Sequence, residues 1–224
     1  MAICTFAAYD TSSDPQLAYF VETSLANKRG YAAAHGYHLH AETDPRVHGD
    51  RAPTWGKIRI IRALLEQGFE WVLWVDMDAF FMNWRVRVVE DVVAASGPLA
   101  DRDVFIAKDH FGYNAGVWLF RNTAFSRQLL DTLWADGGPN SGGWFEQSEF
   151  HTWCRKHPDL EQQHIAALPQ KALNAYPDYS CRAGQCYAWQ PGDFIYHMPG
   201  GKPHDWRSAL RPVLANVDRG ENSK

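Results

Sequence analysis

The chain has 224 residues with a formal net charge of −4, and hydrophobic residues make up 46% of it. This apolar content allows a full core and excludes an intrinsically disordered chain, while the length suits a single domain. Lysine and arginine are not concentrated in any stretch, which disfavours the nucleic-acid backbone as a partner.

Apolar periodicity predicts an alternating start to the chain. Residues 3–8 form a short apolar run typical of a buried strand, and a helix over 14–36 begins with Asp and Pro, which suit a first turn, and ends at a glycine. A second strand over 37–41 and a polar loop over 43–53 follow. Residues 54–68 then have the spacing of a second amphipathic helix.

The run over residues 71–75 is apolar at every position, which favours a strand covered on both faces. Beyond it the pattern predicts helices over 86–95, 122–134 and 144–157, the last closed by Pro158, and strands over 104–107, 116–120, 165–168 and 194–196. Strands that alternate with helices indicate an α/β domain with a mostly parallel central sheet flanked by helices.

No apolar run approaches the roughly 20 residues that a membrane helix needs, and the first residues lack the basic flank of a signal peptide. We therefore expect a soluble, cytoplasmic protein without a transmembrane segment. Cys4 and Cys154 are predicted to be buried thiols. Cys181 and Cys186 could bridge or bind a metal, but their spacing matches no common zinc pattern and favours a local structural role.

Asp76 and Asp78 come directly after the predicted strand over 71–75. Ligands of open α/β sheets bind outside the carboxyl ends of the strands, and residues two apart in an extended chain point to the same side. Two carboxylates there suit Mg²⁺ or Mn²⁺, which commonly bridge to phosphate and could neutralise the charge on a departing diphosphate. The alternative is that one aspartate caps a turn and the other is solvated.

Other protein classes also place Asp-x-Asp after a strand. Haloacid-dehalogenase-type phosphatases usually follow it with a Thr or Val near the N-terminus, whereas here Ala79-Phe80 follows a complete upstream unit. A nucleotidyltransferase would share the metal site, although a glycine-rich basic loop is missing after the first strand. A non-catalytic carbohydrate-binding protein is a third interpretation, and the ten Trp, nine Tyr and twelve Phe residues suit sugar recognition in general.

Seven short motifs occur in chain order. They are Asn27-Lys28-x-x-Tyr31-x-x-x-His35-Gly36-Tyr37, Trp55-Gly56-Lys57, Trp74-Val-Asp76-Met-Asp78-Ala79, Asn114-Ala-Gly116 with Phe120-Arg121-Asn122, Glu146-Gln147-Ser148, Leu168-Pro169-Gln170 with Leu173-Asn174-x-Tyr176, and Pro191-Gly192-Asp193-Phe194-Ile195-x-His197-x-x-Gly200. Together they resemble the retaining glycosyltransferases that include fungal α-galactosyl- and α-mannosyltransferases and plant xyloglucan xylosyltransferases. The resemblance implies one GT-A-type domain with a Rossmann-like nucleotide-sugar-binding half over about 1–110, an acceptor and catalytic half over about 111–210, and a tail over 211–224.

The resemblance also implies a ligand set for the metal. Asp76 and Asp78 would hold Mn²⁺, or Mg²⁺, on the donor diphosphate, and His197 would be the third protein ligand. Gly200 would let backbone approach a phosphate closely, and Lys202 would supply a point charge to the diphosphate.

The remaining candidate residues concern the donor and the chemistry. Lys57 sits near a helix start, where the dipole disfavours a cation, so it suggests a contact with the nucleotide; a surface lysine is the alternative. Asn114 and Gly116 are candidate donor-sugar contacts. The resemblance places Glu146 and Gln147 beneath the anomeric carbon, although the family commonly has Asp where this chain has Glu146.

The function predicted from these residues is metal-dependent transfer of a hexosyl or pentosyl unit from a nucleotide-sugar, with UDP-sugars favoured, to a hydroxyl acceptor. Retention at the anomeric carbon follows from the resemblance, and both front-face substitution and double displacement stay open. The acceptor could be a glycan, a lipid-linked sugar or a small molecule. Many eukaryotic relatives carry a membrane anchor, which this sequence is not expected to share.

Overall fold

The computed structural model describes residues 1–138, 142–181, 186–200 and 205–220. The strands are β1 (Ala2–Phe6), β2 (His38–Glu42), β3 (Trp71–Val75), β4 (Ala79–Phe81), β5 (Val104–Asp109), β6 (Gly112–Arg121), β7 (Ile165–Pro169) and β8 (Ile195–His197). The helices are α1 (Pro15–His35), α2 (Gly56–Glu66), α3 (Ala124–Asp136), α4 (Phe145–Lys156), α5 (Pro158–His164), α6 (Gln170–Leu173) and α7 (Trp206–Ala215).

Six strands form the central sheet in the order β2-β1-β3-β6-β5-β7, and β4 pairs with β8 in a separate two-stranded sheet. β1 is parallel to β2 and β3, and β5 is parallel to β7, while β6 runs antiparallel to both of its neighbours. Five of the six strands therefore share one direction, which confirms the prediction of a mostly parallel sheet. Because β6 is reversed, it begins at the edge where β3 and β5 end.

The central strand β3 is buried at all five positions, as its uninterrupted apolar sequence predicts. Val72 and Trp74 face one apolar layer, which also receives side chains from α2, α3 and α4. Leu73 and Val75 face the opposite layer, together with Tyr31 from α1. Both faces of the sheet are covered by helices, so polar side chains gather at the strand ends.

The local signals at the ends of α1 behave as predicted. The Asp14 side chain accepts hydrogen bonds from the first free amides, and Pro15 occupies the first turn. Gly36 ends the helix with a left-handed φ of 66°. The helix therefore has both boundaries where the sequence places them.

Several elements differ from prediction. The segment predicted as a helix over 86–95 forms a π-helical turn over Val88–Val93. The helix predicted over 144–157 ends at Lys156, just before Pro158, as expected, but Pro158 also opens the unpredicted helix α5, because proline is well tolerated at a first helical position. The short strand β4 and the helix α7 were not predicted, and β4 matters most because it follows Asp78 immediately.

Cys4 and Cys154 are buried free thiols, as predicted, whereas Cys181 and Cys186 form a disulfide.

Within the described ranges, no helix combines the length and the apolar character that crossing a membrane requires.

Candidate functional site

A cavity of about 1110 Å³ opens at the sheet edge where β3 and β5 end and β6 begins. Nine of the ten predicted site residues line it. They are Lys57, Asp76, Asp78, Asn114, Gly116, Glu146, Gln147, His197 and Gly200. The tenth, Lys202, lies outside the described residues.

Asp76, Asp78 and His197 form a compact cluster at the inner end of this cavity, which we call the metal end. One potential ligand atom from each residue lies within 4.8 Å of the other two, and Nε2 of His197 is 3.3 Å from Oδ1 of Asp78. Two carboxylates and one imidazole fit a divalent cation such as Mn²⁺ or Mg²⁺.

The pairing of β4 with β8 brings these residues together from distant parts of the chain. Ala79 is the antiparallel partner of His197. The amide of Met198 also donates to the carbonyl of Asp78, at 3.0 Å. The backbone that carries Asp78 is therefore bonded directly to the backbone beside His197.

The His197 ring is oriented by Asn174. Nδ1 of His197 is hydrogen-bonded to the side-chain oxygen of Asn174, and an amide oxygen can only accept. Nδ1 therefore carries a proton, and Nε2 is the ring atom that faces Asp78 and is available to a cation. The Asn174 amide donates in turn to the hydroxyl of Tyr176, at 3.1 Å, and that hydroxyl donates to Asp109.

Gly116 makes room for the same ring. A Cβ at this position would lie 2.2 Å from Cε1 of His197, a distance that only a shift of the ring could relieve. The Gly116 carbonyl accepts from the amide of Asp76 at 2.8 Å, and its own amide donates to Oδ1 of Asn114 at 2.9 Å. Gly116 thus positions two members of the metal end.

Lys57 is 2% exposed, so the alternative of a surface lysine is wrong. Its ammonium lies 2.8 Å from Oε1 of Glu146, 3.3 Å from Oδ1 of Asp76 and 3.0 Å from the carbonyl of Ala115. Burial acts to lower the pKa of Lys57, but Asp76 and Glu146 outweigh it and raise that pKa, so the side chain stays charged. A direct nucleotide contact remains a prediction.

Asp76 is held from several sides. The indole of Trp74 donates to Oδ1 of Asp76 at 2.6 Å. Burial raises the pKa of Asp76, Lys57 opposes the rise and Asp78 adds to it. Two carboxylates close together repel each other, and a bound cation would relieve that repulsion.

Glu146 follows a strained residue at the start of α4. Phe145 has a φ of 50°, which is uncommon for a bulky side chain. Glu146 is buried, one oxygen pairs with Lys57, and Oε2 is without a hydrogen-bond partner in the part of the chain that the structure describes. An unpaired buried carboxylate oxygen lining a cavity points to a ligand group that completes it.

Gln147 and Asn114 are held by protein groups. Oε1 of Gln147 accepts from the amide of Ala115 at 2.8 Å, and the Asn114 amide donates to the hydroxyl of Tyr176 at 2.9 Å. Their positions on the cavity wall agree with a donor site, and their contacts with the donor remain predictions.

Residues of α1 clamp the loop and strand behind the metal end, a role that the sequence analysis missed. The side chain of Asn27 exchanges two hydrogen bonds of 2.8 Å with the backbone of Phe81. Nζ of Lys28 donates to the carbonyl of Ala79 at 2.8 Å and to the hydroxyl of Ser24 at 2.7 Å, and that hydroxyl donates to the carbonyl of Met77. The signal was present, because these polar residues share the helical face of buried apolar ones.

Comparisons with known proteins agree with this architecture. A family model described as the galactosyl transferase GMA12/MNN10 family matches residues 2–97 and 98–206. An alpha-1,2-galactosyltransferase of Schizosaccharomyces pombe is 27% identical over 228 residues, covering 86% of this chain and 59% of that relative. A probable alpha-1,6-mannosyltransferase of Saccharomyces cerevisiae, MNN10, is 26% identical over 219 residues, covering 79% of this chain and 54% of that relative.

The fold also matches a solved structure. The crystal structure of a glycosyltransferase involved in the glycosylation of the major capsid of PBCV-1 superimposes with a TM-score of 0.70 at 16% identity, over 95% of this chain and 98% of that one. The chain spans a little over half the length of the fungal relatives. The family match covers most of the sequence, and the chain belongs to the galactosyl transferase GMA12/MNN10 family of glycosyltransferases, with a GT-A fold.

Proposed function

We propose that this chain transfers a sugar from a nucleotide-sugar to a hydroxyl acceptor, with Mn²⁺ bound by Asp76, Asp78 and His197. The observation that carries the proposal is the meeting of these three side chains and buried Glu146 in one cavity. Family membership supports the same conclusion. When bound, the cation supplies positive charge that stabilises the departing diphosphate.

The sheet topology supports a proposal for how the donor would lie. β1 has β2 on one side and β3 on the other, which is the switch point where open α/β sheets bind nucleotides. The nucleoside would lie over the ends of β1 and β3, and the diphosphate at the metal end. The sugar would then extend over the start of β6, beside Asn114 and Glu146.

In this proposal Glu146 would act on the sugar. As the bond to the diphosphate breaks, positive charge develops at the anomeric carbon, and the carboxylate can stabilise it or attack it covalently. Lys57 pairs with Glu146 at 2.8 Å and holds the side chain in place. The proposed transfer retains the anomeric configuration. Lys202 and Gly200 would contact the diphosphate of the donor.

A donor panel tests the proposal. UDP-galactose, UDP-glucose, UDP-xylose and GDP-mannose would each be incubated with the protein and Mn²⁺, with and without a chelator, and the released nucleoside diphosphate measured. We expect release from one preferred donor, with loss in chelator. Release that is independent of metal, or no binding of any donor, would contradict the proposal, and release of pyrophosphate from a nucleoside triphosphate would indicate a nucleotidyltransferase.

The compartment is a separate question. Cytoplasmic location is our prediction, and the Cys181–Cys186 disulfide opposes it, because disulfides persist mainly in oxidising compartments. Thiol alkylation of the protein immediately after cell lysis decides the matter. Labelling of both cysteines supports the cytoplasm, and protection of both supports an oxidising compartment.

A further inference from the structure

Two aromatic side chains at the outer part of the cavity stand apart from all others of their kind. Trp144 is 49% exposed and Phe111 is 61% exposed. Across the described residues, which include all ten tryptophans and all twelve phenylalanines, they are the only exposed members of their types. Their ring centroids are 5.5 Å apart, and both line the cavity. We call this pair the aromatic end.

Each ring is presented by a backbone that is firmly held. Phe111 lies in the turn between β5 and β6, where its amide donates to Oδ1 of Asp109 at 2.7 Å. The amide of Trp144 donates to the hydroxyl of Ser148 at 3.0 Å, at the start of α4. The rings are therefore exposed by ordered turns, although their burial would be favourable, which indicates that a ligand covers them.

The sheet places this pair beyond the transferred sugar. Val75 at the end of β3 pairs with Val117, and β6 reaches from there back to Gly112, so the β5–β6 turn lies roughly 17 Å beyond the end of β3, on the side away from β1. The nucleoside side has an exposed aromatic ring of its own, Tyr9, which is 42% exposed and follows β1.

The charged side chains of the cavity restrict the chemical class of the ligand further. Among its described lining residues the only lysine or arginine is Lys57, which is already paired with two carboxylates, and the other charged side chains there are acidic. Among these described residues, a phosphorylated acceptor would find no unpaired lysine or arginine. Flat aromatic rings beside the polar groups of His110 and Asp109 suit the C–H face and the hydroxyls of a neutral sugar.

We propose that Phe111 and Trp144 form a stacking platform for the acceptor and that the acceptor is a neutral saccharide. This inference rests on the proposed transferase function, because it names the second substrate of the same cavity. It assigns the aromatic end to the acceptor and leaves the nucleotide to the β1 side.

The test compares Trp144→Ala, Phe111→Ala and the conservative Trp144→Phe with wild type. Leu160→Ala is the control, because Leu160 is a partly exposed apolar residue of α5 that does not line the cavity. The probes are cellobiose, maltose and α-mannobiose, with 1,2-octanediol as a non-sugar alcohol. Saturation-transfer NMR measures their binding directly, and calorimetry measures UDP binding in Mn²⁺.

We expect each alanine variant to weaken binding of the preferred disaccharide about tenfold, the loss of one good ring contact. Trp144→Phe should retain most of the affinity, and Leu160→Ala all of it. UDP affinity and donor hydrolysis in water should stay at the wild-type level in every variant.

The proposal would be overturned by unchanged disaccharide affinity in both alanine variants. It would also be overturned if the protein bound the octanediol more tightly than every sugar. A fall in UDP affinity would contradict it too, because the rings would then contact the nucleobase. Failure of the transferase proposal looks different. Wild type would then neither bind UDP nor hydrolyse any donor, while the NMR comparison would still show whether these rings hold a sugar.

Discussion

The metal end and the aromatic end of the cavity are built in opposite ways. Asp78 and His197 are joined by paired strands, and α1 and Asn174 hold them from behind. Phe111 and Trp144 project from turns with their rings in water. The first construction fixes charged groups before any ligand arrives, which electrostatic catalysis requires. The second leaves a surface that gains its contacts only when a ligand covers it.

Because of this difference, we expect substitutions at the two ends to have different effects on activity. A change at the metal end should affect transfer of the donor sugar to any acceptor, including water. A change at the aromatic end should affect only the choice and affinity of the acceptor. The following variants test that separation, beginning with the largest expected effect.

Asp78→Asn removes one charge from the metal end without changing its shape. We expect transfer and donor hydrolysis to fall together by about 10³-fold, because several kcal/mol of charge stabilisation depend on the cation. Steady-state release of the nucleoside diphosphate over a range of Mn²⁺ measures the loss. Asp131→Asn, an exposed carboxylate of α3, is the control and should retain full activity.

Glu146→Gln tests the carboxylate that lies between the two ends. Its kcat should fall about 100-fold, while the donor KM changes by no more than about twofold, because the charge acts mainly in the transition state. Glu149→Gln, on the same helix but not on the cavity wall, should leave both constants unchanged. A large rise in donor KM at constant kcat would assign Glu146 to donor binding.

Asn174→Ala removes the partner of Nδ1 in His197. Mn²⁺ affinity, measured by calorimetry in the presence of UDP, should fall by roughly tenfold to 100-fold, as expected when the group that orients a metal ligand is lost. Asn122→Ala is a matched control, because Asn122 makes two comparable hydrogen bonds to backbone carbonyls away from the cavity. Equal losses of Mn²⁺ affinity in both variants would indicate general destabilisation.

Lys28→Met tests the clamp behind the metal loop. Burial lowers the pKa of Lys28 to about 7, against the opposing effect of Asp78 and Asp76, so above that pH the unfolded chain holds this proton more firmly than the folded one. Between about pH 7 and pH 10, wild-type stability should therefore rise relative to the variant, by at most about 1.4 kcal/mol per pH unit. Urea unfolding at several pH values measures the free energy of unfolding of both proteins. If the two free energies changed with pH in parallel, the predicted effect of Lys28 would be excluded. Exposed Lys171→Met is the control.

The sequence predicted the parts of this molecule that depend on local pattern. The uninterrupted apolar run of β3 and the two aspartates after it were sufficient to predict a strand end with a cation site. The caps of α1 were equally clear, because each is decided by a few neighbouring residues. The order of the seven motifs predicted the family, and the family resemblance predicted that His197 is a metal ligand.

The remaining features depend on contacts between distant segments. Nothing near Ala79 indicates that β4 pairs with β8, and this pairing is what joins Asp78 to His197. Lys57 looked like a ligand contact or a surface residue because its two carboxylate partners come from elsewhere in the chain. The exposure of Trp144 could not be predicted, since the nine other tryptophans are buried or partly buried.

The central claim is that Asp76, Asp78 and His197 hold the cation that binds the donor diphosphate. Anomalous diffraction at the manganese edge, from crystals soaked with Mn²⁺ and UDP, tests it most directly. The account predicts one strong peak in contact with both carboxylates and Nε2 of His197, adjacent to the diphosphate. A bound diphosphate with no peak at these three residues, or a peak held by other side chains, would contradict it.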